Sequence, residues 1–288
     1  MRDLPRRTVT ALVYGAVVLA TLFAPWPTFA VLVAILAVLG YLELRTLFSD
    51  RSFRPSPEGV VFVLLFVVAH VYAAGSPRTL TLLTLAVLAV AFSVAVYWVV
   101  YGSVRRGRPD PTVLGAVFTV AGALYLGFAF GFLIELWLAR DDATRTQAEQ
   151  LFRLPVWLLL AVVPTWAADV AAYVVGARFG RRKIAPRISP GKTWEGTLAG
   201  FAAAAVVELL LATSVGIQTG LTLLLAGLVG PVGFAGDLLE SAIKRAAGAK
   251  DSGTLLPGHG GVLDRIDSLM LVAPAVTFVF WLARGASL

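Results

Sequence analysis

The 288-residue chain contains no cysteine and few charged residues. Without cysteine it can form neither a disulfide bond nor a thiolate metal site. Asp, Glu, Lys and Arg together make up only 14% of the residues, whereas about 25% is usual in a soluble protein. Apolar residues account for 58% of the chain. This composition excludes an ordinary soluble domain and predicts an all-α polytopic membrane protein.

Long apolar runs predict about nine membrane-spanning helices, because about 20 apolar residues cross a bilayer. The first run follows three arginines, as in a signal peptide, but no small-residue cleavage site follows it, so we predict an uncleaved span. The fifth run contains four glycines that would let it tilt, break or pack closely. The predicted spans are 8–25, 28–47, 59–74, 79–101, 112–138, 155–177, 194–214, 220–243 and 269–285.

The placement of lysine and arginine predicts the orientation of the chain. With nine spans and a cytoplasmic N-terminus, most of the 24 basic residues lie in cytoplasmic segments, as the positive-inside rule requires. Eight or ten spans would move the late basic loops to the other side. We therefore expect the C-terminus on the side opposite the N-terminus. Because topology accounts for the net charge of +7, that charge does not indicate a nucleic-acid partner.

The two halves of the chain differ in polar content. Residues 1–154 have few polar residues within spans, with Glu43 and Glu135 near span ends, and are predicted to be a scaffold of about five helices. Residues 155–288 hold acidic residues within or beside helices, which is costly in a membrane and typical of a functional site. We expect this region to be catalytic. Its cytoplasmic loops are predicted at 178–193 and 244–268.

Asp237 and Glu240 lie three residues apart and therefore on one face of the eighth predicted helix. Glycines before Asp237 would let a ligand or another backbone approach closely. Two carboxylates on one face repel each other unless a cation lies between them. We therefore predict that Asp237 is a metal ligand and that Glu240 is a further candidate. The alternative is an ion pair of Asp237 with Lys244 or Arg245.

A second pair of carboxylates, Asp264 and Asp267, precedes the last span. Asp264 follows a glycine-rich turn and is predicted, with Asp237, to be a magnesium ligand, since Mg²⁺ often takes one or two carboxylates together with water and phosphates. Asp267 is either a helix N-cap or a further ligand. Asp169, in the middle of the sixth span, must pair with a cation, a metal, a proton or a neighbouring helix.

The segment between these acidic residues is rich in glycine and in basic residues. Its glycines let consecutive backbone N–H groups turn toward an anion. A plain cytoplasmic loop would explain the positive charge but not the glycines and aspartates. His259 is a phosphate donor, a general base or a structural residue of the turn, and these alternatives stay open. The basic residues are Lys244, Arg245, Lys250 and Arg265.

The sequence S-P-G-K-T that begins at Ser189 ends like a P-loop. That motif is rejected because Pro186 stands where it requires glycine and because no strand is expected before it. We predict instead a helix start that is capped by Ser189 or Thr193, with Glu195 in the first turn. Its free N–H groups and Lys192 would bind a phosphate, and capping alone is the alternative.

Residues 241–267, the signature run, resemble the signature of phosphatidate cytidylyltransferases, S-x-apolar-K-R, then K-D, then H-G-G-apolar-x-D-R-apolar-D. Two upstream segments are similar to that family as well, D-x-x-A-Y-x-x-G from Asp169 and S-P-K-K-T-x-E-G from Ser189. Two positions depart from it, Gly191 in place of a lysine and Val170 in place of Ser or Thr. The N-terminal half matches only in hydropathy. The matching residues of the signature run are Ser241, Lys244, Arg245, Lys250, Asp251, Gly253, Pro257, His259, Gly260, Gly261, Asp264, Arg265 and Asp267.

The resemblance implies an integral membrane enzyme that converts CTP and phosphatidic acid to CDP-diacylglycerol and pyrophosphate, with one or two Mg²⁺ ions. It implies catalytic roles for Asp237, Asp264, Lys244 and Arg265, and metal ligation by Asp237 and Asp264 with Glu240 and Asp267 as further candidates. It implies substrate binding by Ser189, Lys192, Glu195, Ser241, Arg245, Lys250, Asp251, His259, Gly260, Gly261 and Asp169.

We expect the site to face the cytoplasm in a bacterial inner membrane and to take phosphatidic acid from the cytoplasmic leaflet. A homodimer is left open. Three alternatives remain for the function: a lipid kinase that uses CTP, a cytidylyltransferase for another lipid phosphate, and an ion-coupled transporter. The chain has no internal repeat, which weighs against the transporter.

Overall fold

The structure, a computed structural model, describes residues 15–18, 20–22, 24–49, 54–73, 76–106, 112–139, 155–255 and 260–285. Nearly all regular structure in this part of the chain is helical. Residues 15–18 and 20–22 are helical, and the rest of the predicted first span lies almost entirely outside the described residues. The helices that follow are α1 (Trp26–Leu47), α2 (Gly59–Ala73), α3 (Pro77–Arg106), α4 (Thr112–Leu138), α5 (Val156–Phe179), α6 (Trp194–Ser214), α7 (Thr219–Ala247), α8 (Leu263–Ile266) and α9 (Leu269–Ala283).

Seven helical segments of the described residues are long and apolar enough to cross a membrane, and α2 is a shorter apolar helix. Large apolar side chains point away from the protein interior. Tyr72, Phe92 and Leu210, for example, are 75%, 69% and 66% exposed. So much exposed apolar surface suits helices that face lipid. The chain is therefore a multi-pass helical membrane protein, as predicted, and the predicted spans from the second to the ninth each coincide with a helix.

The chain divides into two compact units, and neither is continuous in sequence. The first unit comprises residues 1–134, 249–265 and Leu288, and the second comprises residues 135–248 and 266–287. The predicted regions 1–154 and 155–288 follow sequence order, whereas each compact unit draws on both of them. The signature run in particular contributes to both units.

In the first unit, glycines bring α4 close to α1 and α2. A β-carbon at Gly122 would lie 2.8 Å from a methyl group of Leu44, and one at Gly127 would lie 2.8 Å from the carbonyl oxygen of Val63. Helix α4 runs without a break from Thr112 to Leu138. Of the outcomes considered for the fifth span, the glycines therefore serve close packing and do not break the helix.

In the second unit, α5 packs along α6, α6 packs against α7, and α9 packs against both α5 and α7. The start of α6 crosses α5 at close range. A β-carbon at Gly196 would lie 2.6 Å from the carbonyl oxygen of Ala172 and 2.9 Å from the α-carbon of Gly176. This crossing fixes the first turn of α6 against the last turns of α5.

A two-stranded antiparallel hairpin, β1 (Lys183–Ala185) and β2 (Ser189–Thr193), connects α5 to α6. The prediction that no strand precedes the G-K-T sequence was therefore wrong, and the all-α description needs this small addition. Pro190 and Gly191 in β2 disfavour a strand, but a two-stranded hairpin tolerates them because each strand has a free edge. The absence of glycine at Pro186 still distinguishes the segment from a P-loop.

Thr193 ends β2 and is the N-cap of α6. Its hydroxyl oxygen accepts a hydrogen bond from the backbone N–H of Gly196 at 3.2 Å. One of the two predicted caps is thereby confirmed, whereas Ser189 lies at the start of β2. The hairpin thus leads directly into a membrane helix, and Lys192 is held two residues before that helix begins.

Replacement of Gly196 by alanine is expected to destabilise the protein by about 1–3 kcal/mol, because the new methyl group meets backbone atoms of α5. The measurement is the thermal unfolding midpoint of the purified protein in detergent. Gly227→Ala in α7 is the matched control, since no atom lies within 4 Å of a β-carbon there. Because alanine has a higher helix propensity than glycine, the unfolding midpoint of this control should stay unchanged or rise slightly. Equal midpoints for both variants would contradict the close crossing.

Candidate functional site

Helix α7 is longer than the predicted eighth span and continues to Ala247. It ends at Gly248, whose φ of 80° is left-handed and suits glycine. Lys244 and Arg245 therefore lie in the last helical turn, where positive charge interacts favourably with the helix dipole. The predicted cytoplasmic loop that began at 244 is correspondingly shorter.

The ammonium group of Lys192 forms an ion pair with the Asp237 carboxylate. The pair joins β2 to α7 and connects two sequence motifs that are 45 residues apart. Ser241, one turn further along α7, donates its hydroxyl to the other Asp237 oxygen at 3.4 Å. The Lys192 nitrogen also lies 5.0 Å from the centroid of the Phe234 ring, a cation–π contact. Lys192, rather than Lys244 or Arg245, is thus the cationic partner of Asp237.

Asp267 lies within electrostatic range of this ion pair, and Asp169 lies within electrostatic range of Asp267. Asp267 interacts with Asp237, Asp169 and Lys192. Gly236 allows the approach, because a β-carbon there would lie 2.6 Å from the Asp267 carbonyl oxygen. We call Asp169, Lys192, Asp237 and Asp267 the aspartate cluster. The cluster contains three carboxylates and only one ammonium group, so added positive charge would be favourable.

The aspartate cluster fits a magnesium ion that a phosphate ligand would help to hold. Among the residues that the structure describes, no three His, Asp or Glu side chains form a group that could hold a metal ion unaided. Mg²⁺ does not need such a cage, because it commonly takes one or two carboxylates and completes its shell with water and phosphates. Asp237 and Asp267, both in the second unit, supply two carboxylates of this kind.

Glu240 and Lys244 form a second ion pair within α7. The Lys244 nitrogen lies 2.6 Å from a Glu240 oxygen, and the two side chains are only 12% and 3% exposed. Arg245 donates from Nε to the carbonyl oxygen of Ile188 at 3.1 Å, which ties the end of α7 to the turn of the hairpin. Metal ligation by Glu240 and catalysis by Lys244 stay predictions, and the structure gives both residues a structural contact.

Glu195 holds the backbone between α5 and β1. Its carboxylate accepts hydrogen bonds from the N–H groups of Arg181 at 3.0 Å and Arg182 at 3.3 Å. The N–H of Trp194 in turn donates to the Arg182 carbonyl oxygen at 2.9 Å. These bonds fix the entrance and exit of the hairpin that carries Lys192. Substrate binding by Glu195 and Ser189 stays a prediction.

The other predicted site residues, apart from His259, lie in the first unit on residues 249–255 and 260–265, which we call the signature loop. Lys250, Asp251 and Arg265 are exposed. One carboxylate oxygen of Asp264 accepts hydrogen bonds from the backbone N–H and the hydroxyl of Ser252, each at 2.9 Å. His259 lies outside the described residues. Asp264 is thus engaged within its own loop.

Glu43 of α1 was assigned to the scaffold by sequence reasoning, yet it contacts the signature loop. Its carboxylate accepts hydrogen bonds from the N–H groups of Val262 at 2.9 Å and Leu263 at 3.0 Å. The signal that marked it was an acidic residue near the end of an apolar helix, which is unusual without a role. Its partners could not be inferred, because they lie more than 200 residues away along the chain.

The sequence profile of the "Cytidylyltransferase family" matches residues 5–283 of the chain. The chain belongs to the cytidylyltransferase family. The match begins at residue 5 and therefore includes α1–α4, where sequence reasoning found similarity only in hydropathy. Family membership thus extends to the part of the chain that contains Glu43.

Several relatives in this family carry the name "Phosphatidate cytidylyltransferase". The protein of Brucella suis biovar 1 (strain 1330) is 36% identical over 284 residues, which cover 97% of this chain and 94% of that protein. The protein of Haemophilus influenzae is 34% identical over 298 residues, which cover 96% and 99%. A Pseudomonas aeruginosa protein is 48% identical over a shorter stretch of 130 residues, 44% of this chain and 48% of its own length.

Replacement of Glu240 by glutamine is expected to destabilise the protein by about 3–5 kcal/mol, because it removes one member of a largely buried ion pair. The double variant Glu240→Gln/Lys244→Met should recover most of this loss, because neither charge remains. Chemical unfolding of the wild type, both single variants and the double variant in detergent gives the coupling energy. Additive losses would show that the pair contributes nothing to stability.

Proposed function

We propose that the chain transfers the cytidylyl group of CTP to phosphatidic acid at the cytoplasmic face of a bacterial inner membrane. The chain is a nucleotidyltransferase, and its substrates and products are CTP, phosphatidate, CDP-diacylglycerol and pyrophosphate. The names of relatives that match over nearly their whole length support this assignment. The observation that carries the site is the Lys192–Asp237 ion pair, because it unites two motifs of the family beside Asp267.

In the proposed reaction an oxygen of the lipid phosphate attacks the α-phosphorus of CTP. A new phosphorus–oxygen bond forms while the bond from the α-phosphorus to the oxygen that bridges to the β-phosphate breaks, and pyrophosphate leaves. The attacking phosphate already carries negative charge, so it needs no strong general base. The main barrier is repulsion between two polyanions, which positive charge in the site would lower.

The aspartate cluster has the composition that this chemistry requires. Asp237 and Asp267 would hold Mg²⁺, and Lys192 would bind phosphate oxygens once its carboxylate partner turns to the ion. When bound, magnesium supplies charge that screens the phosphates and stabilises the leaving pyrophosphate. Metal ligation by Asp264 and the presence of a second ion stay predictions, as does the homodimer.

The hairpin supports the proposed orientation. Arg181, Arg182, Lys183 and Arg187 are all exposed on or beside it. Such a cluster favours the cytoplasmic side of a membrane. It would also raise the local concentration of an anionic nucleotide such as CTP. Phosphatidic acid would then enter from the cytoplasmic leaflet.

Product analysis distinguishes the proposed reaction from its alternatives. Purified protein in detergent micelles is incubated with CTP, phosphatidic acid and Mg²⁺, and nucleotides and lipids are quantified. Equal amounts of pyrophosphate and CDP-diacylglycerol are expected. Release of CDP with a newly phosphorylated lipid would indicate a kinase. Turnover only with another lipid phosphate would change the acceptor, and an absence of nucleotide turnover by folded protein would contradict the proposal.

Asp237→Asn and Lys192→Met are each expected to lower kcat/KM by two or more orders of magnitude, because each removes a charge that the polyanionic transition state requires. Glu135→Gln is the matched control. Glu135 is a buried carboxylate that accepts a hydrogen bond from the Trp281 indole at 2.9 Å, and glutamine keeps that acceptor. A similar loss in the control, or turnover within a few-fold of wild type in both site variants, would contradict the assigned roles.

The proposed topology places the two ends of α6 on opposite sides of the membrane. This helix has 21 residues and is about 30 Å long. Because the chain lacks cysteine, Arg187→Cys and Gln218→Cys each introduce one exposed thiol. A membrane-impermeant maleimide should label Gln218→Cys in intact spheroplasts and Arg187→Cys only after the membrane is opened. The reverse pattern would invert the orientation, and labelling of both in intact cells would contradict the span.

A further inference from the structure

Glu43 lies near the C-terminal end of α1, and both of its carboxylate oxygens contact the signature loop. Oε1 accepts the N–H of Val262 at 2.9 Å, and Oε2 accepts the N–H of Leu263 at 3.0 Å. The hydroxyl of Ser252 lies 3.2 Å from Oε2. Glu43 is only 9% exposed. Three donors of the loop thus converge on one buried carboxylate, an arrangement that gives strong hydrogen bonds.

Asp264 takes a second set of donors from the same loop. Its Oδ2 accepts the N–H of Gly261 at 2.8 Å and both the N–H and the hydroxyl of Ser252 at 2.9 Å. A hydroxyl group donates only one proton, so Ser252 can bond to Glu43 or to Asp264 at any moment. Ser252 therefore connects the two carboxylates, and its own backbone is held by Asp264.

The close approach of these two carboxylates to the loop backbone explains why glycine stands at three of its positions. A β-carbon at Gly253 would lie 3.0 Å from Glu43 Oε1, and one at Gly261 would overlap the Ser252 hydroxyl and the Glu43 carboxylate. Gly260 has a φ of 82°, which side-chain-bearing residues rarely adopt. Sequence reasoning predicted that glycines here turn backbone N–H groups toward a phosphate. In the structure the N–H groups of Gly261, Val262 and Leu263 turn toward anions of the protein itself.

We propose that Glu43 is a positioning residue that holds the signature loop in its active conformation. Its effect on turnover rests on the proposed function, because the loop carries Lys250, Asp251 and Arg265 of the family signature. A carboxylate is required because every group that meets Glu43 here is a donor. Glutamine would replace one acceptor oxygen by an NH₂ group and place it against an N–H or O–H group.

Hydrogen–deuterium exchange of the full-length protein in detergent tests the proposal independently of the reaction. Glu43→Gln should increase exchange at least tenfold in peptides that cover 250–255 and 260–265, because hydrogen bonds to a charged acceptor are lost. Peptides from α7 should be unchanged. Glu135→Gln, again the matched control, should leave loop exchange unchanged. Ser252→Ala is a milder second variant that keeps Glu43, and it should increase loop exchange by a smaller factor.

Unchanged loop exchange in both Glu43→Gln and Ser252→Ala would overturn the proposal. Equal acceleration in α7 and in the loop would also overturn it, since the effect would then be general destabilisation. For turnover, Glu43→Gln should lower kcat at least tenfold with little change in the KM for CTP, because the proposed role of Glu43 is to hold the loop and not to bind substrate. If Glu43→Gln accelerates exchange only in the loop but keeps the wild-type kcat, the link between Glu43 and the reaction is refuted. If the wild-type protein itself is inactive, the proposed function is refuted, and the exchange result still decides the structural role of Glu43.

Discussion

Charge near the edge of a membrane is costly unless it is compensated, and the second unit is organised around that constraint. Three aspartates and Lys192 come from α5, β2, α7 and the turn between α8 and α9. Close approach of those elements is possible only because glycines stand at the crossings, Gly196 against α5 and Gly236 against Asp267. The hairpin bonds of Glu195 and the N-cap of Thr193 then hold Lys192 in place. Each of these contacts keeps one positive charge beside Asp237.

Features that depend on neighbouring residues could be predicted from the sequence. The positions of eight apolar helices, the Thr193 cap and the concentration of acidic residues in the C-terminal half all follow from local patterns. The partner of Asp237 could not be predicted, because Lys192 reaches it from a hairpin whose strand contains proline and glycine. The sequence favoured Asp264 over Asp267 as the companion of Asp237, because Asp264 directly follows the glycine-rich turn whereas Asp267 could also be a helix cap. Within the second unit, the close approach at Gly236 and the electrostatic interaction of Asp267 with Asp237 place Asp267 near Asp237, and metal ligation by Asp264 stays a prediction.

The signature run contributes residues to both compact units. Its first part, in α7, carries Asp237's neighbour Ser241 and the Glu240–Lys244 pair. Its middle part folds around Glu43 and Asp264 in the first unit, where the glycines accommodate carboxylates. Its last residue, Asp267, lies in the second unit and belongs to the aspartate cluster. Gly253, Gly260, Gly261 and Asp264 in this run thus have contacts within the protein, and the substrate-binding and metal-binding roles of its glycines and aspartates stay predictions.

The contact between Glu43 and the signature loop also constrains how the protein is made. Glu43 leaves the ribosome early, whereas Leu263, its hydrogen-bond donor, follows 220 residues later. At typical rates of synthesis the interval is about 10–40 s. During this time α1 is already available for membrane insertion, but its acidic side chain still lacks its final donors and must be satisfied by water at the membrane surface. The first unit therefore lacks residues 249–265 until late in synthesis, and truncation before Ala249 would leave both units incomplete.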